Sequence, residues 1–323
     1  MRNALKFVQP ALPKTDFHPA LRHFKITNGT VQAFNGQFGL CTPINLDLEV
    51  YPNGQDFIKA IGACGDDIIS LHVANNGKLV LRSGALKVHV SCDDGVTFPD
   101  LTPQGELIPV PTGFLAALAA LEPFIKDKND AHLWATGMLF DGASAYATNN
   151  TVLLEYWIGQ TLPARCNIPV AAIREVLRIG EEPESLQFAD RRLTFHFSEG
   201  RWLTTQLLVA EWPDLSHILN KEDSAPQLPL PDGFFDALAQ LVPFTDEVCR
   251  VFFKGDRMAT IAGNDVDGAT VALSGLPADG CFNAKHILNL QGIIQTIGFS
   301  SYPASVVFYG ERVRGVIAGF RHE

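Results

Sequence analysis

Adjacent carboxylates occur at Asp66-Asp67, Asp93-Asp94 and Glu181-Glu182. Paired carboxylates can divide acid and base roles when their surroundings push their pKa values apart, or can gather a hard cation. Here each pair falls at the end of a helical pattern or in a turn between strands, where solvated charge collects, so no catalytic role is expected of them. The nine histidines are dispersed without metal-ligand spacing, and the six cysteines (Cys41, Cys64, Cys92, Cys166, Cys249, Cys281) form no CxxC pair. No phosphate loop, dinucleotide fingerprint, HExxH or GxSxG motif occurs. No enzymatic centre, cofactor or metal is therefore expected. A chain without a concentrated polar constellation reads as a scaffold that acts through its shape.

What the chain does contain is a repeated phrase. Residues 109–124, PVPTGFLAALAALEPF, return as residues 229–244, PLPDGFFDALAQLVPF, with ten of sixteen positions identical. A second echo, Phe98-Pro99-Asp100-Leu101 and Trp212-Pro213-Asp214-Leu215, has a period of 114 residues. That spacing is too long for a solenoid, whose units run roughly 20–50 residues. It implies duplicated domains, and 323 residues hold three of them: 1–104, 105–222 and 223–323.

The phrase predicts a helix. Phe114, Leu118 and Leu121 lie on one 3.6-period face, and Phe234, Leu238 and Leu241 match them. Thr112 and Asp232 are candidate N-caps, and Pro123 and Pro243 end or kink the helix. A second helix is expected over 52–64, 169–179 and 283–297, with Phe57, Ile173 and Ile287 in equivalent places. The remaining runs read as antiparallel strands, many in pairs joined by Gly-containing turns such as Asn28-Gly29. The segments 99–109 and 220–231 read as polar, Pro-rich linkers. The first repeat lacks a recognisable copy of the phrase, and its opening (LKFVQPALPKTDFHPAL, 5–21) carries three prolines, enough for only a short or irregular helix. The fold class is α+β.

The composition is that of a globular protein, 46% hydrophobic with mean hydropathy +0.09. No apolar run is long enough for a membrane span, and no signal peptide is evident, so a reduced cytoplasmic compartment is expected. The net charge of −10 argues against gripping nucleic acid by blanket electrostatics. It leaves room for a protein that surrounds nucleic acid while keeping its acidic groups outside.

Three duplicated domains, each with two helices and sets of antiparallel strands, resemble the β sliding clamp family of bacterial DNA polymerase III. Local phrases carry the likeness. Residues 79–101 (LVLRSGALKVHVSCDDGVTFPDL) resemble the end of a first clamp domain. Gly137-Met138-Leu139-Phe140 resembles the start of the middle-domain sheet. Ala147-Thr148-Asn149 stands where the family has A-T-D-G-x-R-L. Residues 158–177 and Phe282-Asn283 resemble the stretches leading into the second helix. The departures suggest a divergent, phage-type member.

The resemblance implies a homodimeric ring around duplex DNA that tethers polymerase and clamp-loader peptides. The inward, DNA-facing cations would be Arg22, Lys25, Lys59, Arg174, Arg178 and Lys285. The ring seam would use the edge strand 85–91, with Lys87, Val88 and Val90, against Phe244 of the next subunit. The partner-peptide pocket would comprise Ala135, Thr148, Asn150, Thr151, Val152, Leu153, Pro213, His217, Ile218, Val316, Ala318, Gly319, Phe320 and Arg321. Ala318-Gly319-Phe320-Arg321 replaces a Met-Pro-Met-Arg type ending, and Asn150-Thr151-Val152 a Gly-His-Arg type segment. A pocket floored by Phe320 instead of adaptable methionines should be more rigid and prefer a different motif. The alternative, motivated by the shortened start, is a clamp-fold monomer that binds partner peptides without closing a ring. An unrelated enzyme on a repeated scaffold is a third reading.

Overall fold

The structure is a computed structural model that describes residues 1–14, 18–65, 68–94, 98–126, 131–220, 226–261 and 268–321. The Asp66-Asp67 pair lies outside them. The first part of the chain forms α1 (Arg2–Val8), β1 (Lys25–Thr27), β2 (Thr30–Phe34), β3 (Phe38–Pro43), β4 (Tyr51–Pro52), α2 (Gly54–Ala63), β5 (Ser70–Val73), β6 (Leu79–Ser83), β7 (Leu86–Val90) and β8 (Cys92–Asp93). Next come β9 (Glu106–Pro109), α3 (Phe114–Leu121), β10 (Gly137–Asp141), β11 (Ser144–Thr148), β12 (Val152–Trp157), β13 (Cys166–Pro169), α4 (Val170–Ile179), β14 (Ser185–Ala189), β15 (Arg192–His196), β16 (Trp202–Gln206) and α5 (Ser216–Leu219). The last part holds β17 (Leu228–Pro229), α6 (Phe234–Leu241), β18 (Arg250–Phe253), β19 (Arg257–Ala259), β20 (Thr270–Ala272), β21 (Gly280–Asn283), α7 (Ala284–Leu288), β22 (Thr296–Ile297), β23 (Val306–Tyr309) and β24 (Val313–Ile317).

Contacts group the chain into two compact units, residues 1–110 with 171–207 and residues 111–170 with 208–323. The first unit is built on a seven-stranded sheet in the order β1-β2-β3-β16-β15-β14-β9, and the second on an eight-stranded sheet ordered β13-β10-β11-β12-β24-β23-β22-β17. Each sheet joins strands of successive repeats through one antiparallel pairing: Leu40 opposite Leu203, and Leu153 opposite Val316. Pairing at these positions removes open edges that would otherwise present unsatisfied backbone groups. Smaller sheets, β5-β6-β7 and β20-β19-β18-β21, remain in the first and second unit respectively.

The repeated phrase folds twice in the same way, and its glycine explains the sequence. Phe114 N–H donates to Pro111 O and Phe234 N–H to Pro231 O, each at 3.1 Å, closing a turn whose third residue is Gly113 or Gly233. Their φ values are +77° and +76°, the left-handed region a type II turn demands at that place. The caps are thus the glycines and not Thr112 and Asp232, because the turn, once closed, leaves those side chains one residue outside the helix. Phe114, Leu118 and Leu121, and Phe234, Leu238 and Leu241, are all buried. Pro123 and Pro243 do not break the chain direction; each sits in a 3-10 turn that extends its helix.

The first repeat opens with a short helix, as expected, and it copies part of the repeated phrase. α1 and its 3-10 turn (Gln9–Ala11) place Leu5, Val8 and Pro10 at the spacing of Leu118, Leu121 and Pro123, and Leu5 and Val8 are buried. The second helix of each repeat starts where expected, with Phe57, Ile173 and Ile287 wholly buried. Asn53 caps α2 by accepting from Asp56 N–H at 3.1 Å, and Asn283 caps α7 by accepting from His286 N–H at 2.9 Å. The third copy is shorter than expected: α7 ends at Leu288 and the chain unwinds through tight turns to Gly292 at φ +79° before β22. The two linkers are also more than linkers, since β9 pairs with β14 and β17 with β22. Their prolines are tolerated because both strands are sheet edges.

All six cysteines are free, and burial pushes the Cys41 and Cys166 thiols up to about 12, so they act as packing groups. Glu181 is not simply solvated: both its oxygens accept from Arg201, at 3.1 and 2.7 Å, which holds its carboxyl below the usual range.

Candidate partner-docking site

In the second unit, one face of the eight-stranded sheet carries two cross-strand rows. Thr148, Leu153, Val316 and Val307 lie opposite one another in turn, as do Leu139, Tyr146, Glu155 and Arg314. The segment running from Trp212 through α5 packs on this face. Leu139, Leu153, Trp212, Leu219, Val307 and Val316 form its buried cluster, with Trp134, Tyr146, Leu215 and Ile218 packed around them. Trp134 meets Trp212 edge-on with ring centroids 5.0 Å apart, a geometry the aromatic quadrupoles favour.

The expected pocket residues divide by position. Leu153, Ile218 and Val316 belong to the cluster, and Pro213 and His217 are exposed on the covering segment. Thr148 shares the face, its hydroxyl donating to Val152 O at 2.8 Å. Val152 does not: the alternation of β12 sends its side chain to the opposite face from Leu153, where it is wholly buried. Ala135 is also wholly buried, in a 3-10 turn over Leu133–Thr136.

Asn149 organises the next loop. Its Oδ1 accepts from Thr151 N–H at 3.0 Å and Val152 N–H at 2.8 Å, while Asn150 takes φ +72°. With the oxygen so used, the amide nitrogen faces His286 Nε2 at 3.2 Å and must donate to it. His286 Nε2 is then an unprotonated acceptor, and burial holds this histidine below its ordinary pKa.

The final segment is pinned by backbone bonds. Ala318 N–H donates to Thr151 O at 2.8 Å, and Phe320 N–H to Cys281 O at 2.7 Å. A Cβ on Gly319 would lie 2.8 Å from the Tyr302 ring, so this place excludes larger residues. Phe320 is half-buried and Arg321 exposed.

A pocket of about 380 Å³ opens between the covering segment and the sheet, lined by Leu139, Tyr146, Leu153, Trp212, Pro213 and Arg314 among others. Of the expected residues, only Leu153 and Pro213 line it. Sequence reasoning missed Trp212, although it heads the Trp-Pro-Asp-Leu echo, and missed Leu139 in the quoted Gly-Met-Leu-Phe phrase. Tyr146 gave no signal. Its hydroxyl donates to Glu155 Oε1 at 3.0 Å, and burial together with that carboxylate pushes its pKa up to about 12.

The expected DNA-facing cations are exposed except Lys25, which is half-buried with its Nζ 5.9 Å from the Phe98 ring centroid. Lys59 projects from α2, Arg174 from α4 and Lys285 from α7, whereas Arg22 ends a 3-10 turn. Arg178 is already neutralised: Nε and Nη2 both donate to the buried Glu175, Nη2 at 2.6 Å. On the expected seam strand, Lys87 is exposed and Val88 half-buried, but Val90 is 1% exposed and packs into the core of its own unit. Phe244 is 63% exposed. Among the described residues no group of three or more His, Cys, Asp or Glu could hold a metal, and no helix is long and apolar enough to cross a membrane.

Repeated two-helix units joined edge to edge through antiparallel sheets, with a covering segment and a pocket on one sheet face, define the DNA sliding-clamp fold. The particular form is that of the bacterial DNA polymerase III β subunits. The β sliding clamp of C. crescentus matches with a TM-score of 0.84 at 18% identity, over 99% of this chain and 97% of that one. The clamp of Bacillus subtilis matches with a TM-score of 0.84 at 15% identity, over 100% and 97%. The Helicobacter pylori β clamp bound to a DNA ligase peptide matches with a TM-score of 0.78 at 17% identity, over 99% and 97%. No protein-family model and no curated protein sequence matches the chain. The likeness is thus one of fold, at 15–18% identity.

Proposed function

We propose that the chain is a DNA polymerase processivity factor, a cytoplasmic, non-enzymatic sliding clamp whose two copies close a ring around duplex DNA. In this reading the three domains are 1–104, 105–222 and 223–323. The sheet face under Trp212–Leu219 docks short peptides of the polymerase, the clamp loader and other partners.

The observation that carries the reading is the pattern of sheet junctions. Successive repeats are joined through β3–β16 and β12–β24. The half-sheets β5-β6-β7 and β20-β19-β18-β21 keep edges that pair with no further strand among the described residues. One more junction of the same kind, β7 of one copy with β20 of the next, would complete the series and hide those edges. Lys87 and Val88 would stand at that seam with Phe244 beside it. The cations Arg22, Lys25, Lys59, Arg174 and Lys285 would face DNA. A net charge of −10 suits a ring held by topology, because tight phosphate contacts would slow its sliding.

Light scattering after gel filtration tests this. One chain is 35.2 kDa, and the reading requires a species of twice that mass that persists on dilution. A lone 35.2 kDa species at every concentration would defeat ring closure and leave a peptide-binding monomer. That alternative is motivated by the shortened first repeat, where α1 (Arg2–Val8) places Leu5 and Val8 in the core.

A further inference from the structure

The turn between β11 and β12 lies beside the docking face, with Thr148 at one end and Leu153 just past the other. Two bonds to Asn149 Oδ1, from Thr151 N–H at 3.0 Å and Val152 N–H at 2.8 Å, set its shape. Thr151 O in turn accepts from Ala318 N–H at 2.8 Å, so the turn also places the start of the final segment. From the third repeat, His286 on α7 meets the Asn149 amide, Nε2 to Nδ2 at 3.2 Å. Because Oδ1 is engaged, Nδ2 is the donor and Nε2 the acceptor, which puts the proton of the neutral ring on Nδ1. Nδ1 is buried and has no partner among the described residues. A buried donor without an acceptor is unfavourable. The bond at Nε2 is therefore what holds the ring in this tautomer.

We infer that His286 is a positioning residue of the docking face: its neutral ring, accepting from Asn149, holds the 149–152 turn in the form that sets Thr148 and Leu153 for a partner peptide. The inference rests on the peptide-docking reading, and it concerns what shapes the face, not what touches the peptide. A protonated ring would aim Nε2–H at the Asn149 amide donor. Turning the amide over would bring its oxygen to the ring but set its NH2 group against the Thr151 and Val152 N–H donors. Neither orientation satisfies both sides, so a proton on Nε2 loosens the turn. The elements packed on α7 are α6 and β21. Their ionisable groups are Asp236 and Cys281; Lys285 precedes the ring on α7, Arg321 lies in the final segment, and residues 148–152 carry none. Burial, not one of these charges, lowers the pKa of His286, so the ring is neutral at pH 7.5 and takes up its proton below about pH 6.5.

The test is fluorescence anisotropy of a tetramethylrhodamine-labelled copy of the DNA ligase peptide carried by the Helicobacter pylori clamp, titrated with the full chain between pH 7.5 and 5. The wild-type Kd should rise about tenfold as the ring is protonated. His286→Gln keeps an acceptor in its side-chain oxygen, and should bind within about twofold of wild type at pH 7.5 with little change toward pH 5. His286→Leu removes the acceptor and should bind about tenfold more weakly at every pH. Asn149→Asp keeps an acceptor for both N–H groups and offers the ring an oxygen, so it should remove or reverse the loss in acid. Equal affinity of wild type and His286→Leu at pH 7.5, a wild-type affinity that is flat across the range, or an acid loss that persists in both His286→Gln and Asn149→Asp overturns the inference. Should His286→Leu fail to fold, the pH profiles of the other two variants still decide. Ile218→Asp reports on docking itself. A peptide that does not bind, or binding indifferent to Ile218→Asp, ends the docking reading and this inference with it. Binding lost in Ile218→Asp but unchanged in His286→Leu leaves docking standing and ends this inference alone.

Discussion

The two copies of the repeated phrase share a backbone and differ most in the surroundings of one side chain. Phe124 and Phe244 each close the 3-10 turn that follows a helix, yet Phe124 is wholly buried and Phe244 is 63% exposed. The turn bearing Phe124 packs on β11 and β12, and the chain then returns, with Lys126 N–H donating to Ala135 O at 3.0 Å. After Phe244 the chain instead turns away, Thr245 bonding back to Val242 O and Asp246 holding Arg250. Duplication therefore supplied one phenylalanine to a core and left its twin at the surface. An exposed aromatic of this size is suited to an interface between chains.

Substitutions at these twins should separate the two uses. Phe124→Ala should cost about 3–5 kcal/mol of stability, measured by denaturant unfolding, whereas Phe244→Ala should change it by less than about 0.5 kcal/mol. A comparable loss at Phe244 would mean that it serves its own core. Phe244→Asp should instead act on assembly, converting the double-mass species to 35.2 kDa in light scattering while the circular dichroism stays unchanged. Gly113→Ala and Gly233→Ala should each lose about 1–2 kcal/mol, the strain of a left-handed residue. No atom lies within 4 Å of the Cβ that Gly233 would gain, and only the Arg312 side chain, at 3.5 Å, meets that of Gly113. The costs should therefore match, and a large difference would expose a packing role that the backbone does not explain.

The smallest effect should come from His286, on the helix packed against α6. Burial places its folded pKa below the unfolded value of about 6.5. The neutral ring is thus favoured by folding, so its contribution is complete above about pH 6.5 and is lost as pH falls through the folded value. Protonation would also turn Nε2 into a donor facing the Asn149 amide. Melting temperature measured between pH 7.5 and 5 should fall on the acid side, and less steeply in His286→Gln. His196, also held down by burial, adds its own slope in both proteins, so the difference between them is the quantity that bears on His286.

The repeat, both helices of the later repeats and most hairpins were legible because periodic apolar residues and glycine turns are local signals. The first copy of the helix was not, since only Leu5, Val8 and Pro10 survive of its pattern and prolines cluster behind it. Strands β9 and β17 were hidden because a two- to four-residue edge strand is made by its neighbour, not by its own sequence. Among the site residues, Leu153, Ile218, Val316 and Pro213 could be carried over by resemblance. The misplaced Val152 shows where that approach gives out: the parity of one residue along a strand decides which face it serves. Trp212 and Arg314 belong to a site assembled from residues distant in sequence, and no local pattern announces it.

The Leu153–Val316 junction has a consequence for how the protein comes into being. β12 (Val152–Trp157) is synthesised well before its neighbour in the sheet, β24 (Val313–Ile317). Until Ile317 has left the ribosome, β12 has an unfilled edge, and the face bearing Leu153 lacks Val316, Val307 and Arg314. Closing so long a loop is slow compared with forming hairpins. Until then that edge of β12 stays unpaired and the face bearing Leu153 incomplete. That face is therefore finished only when strands far apart in the sequence have met.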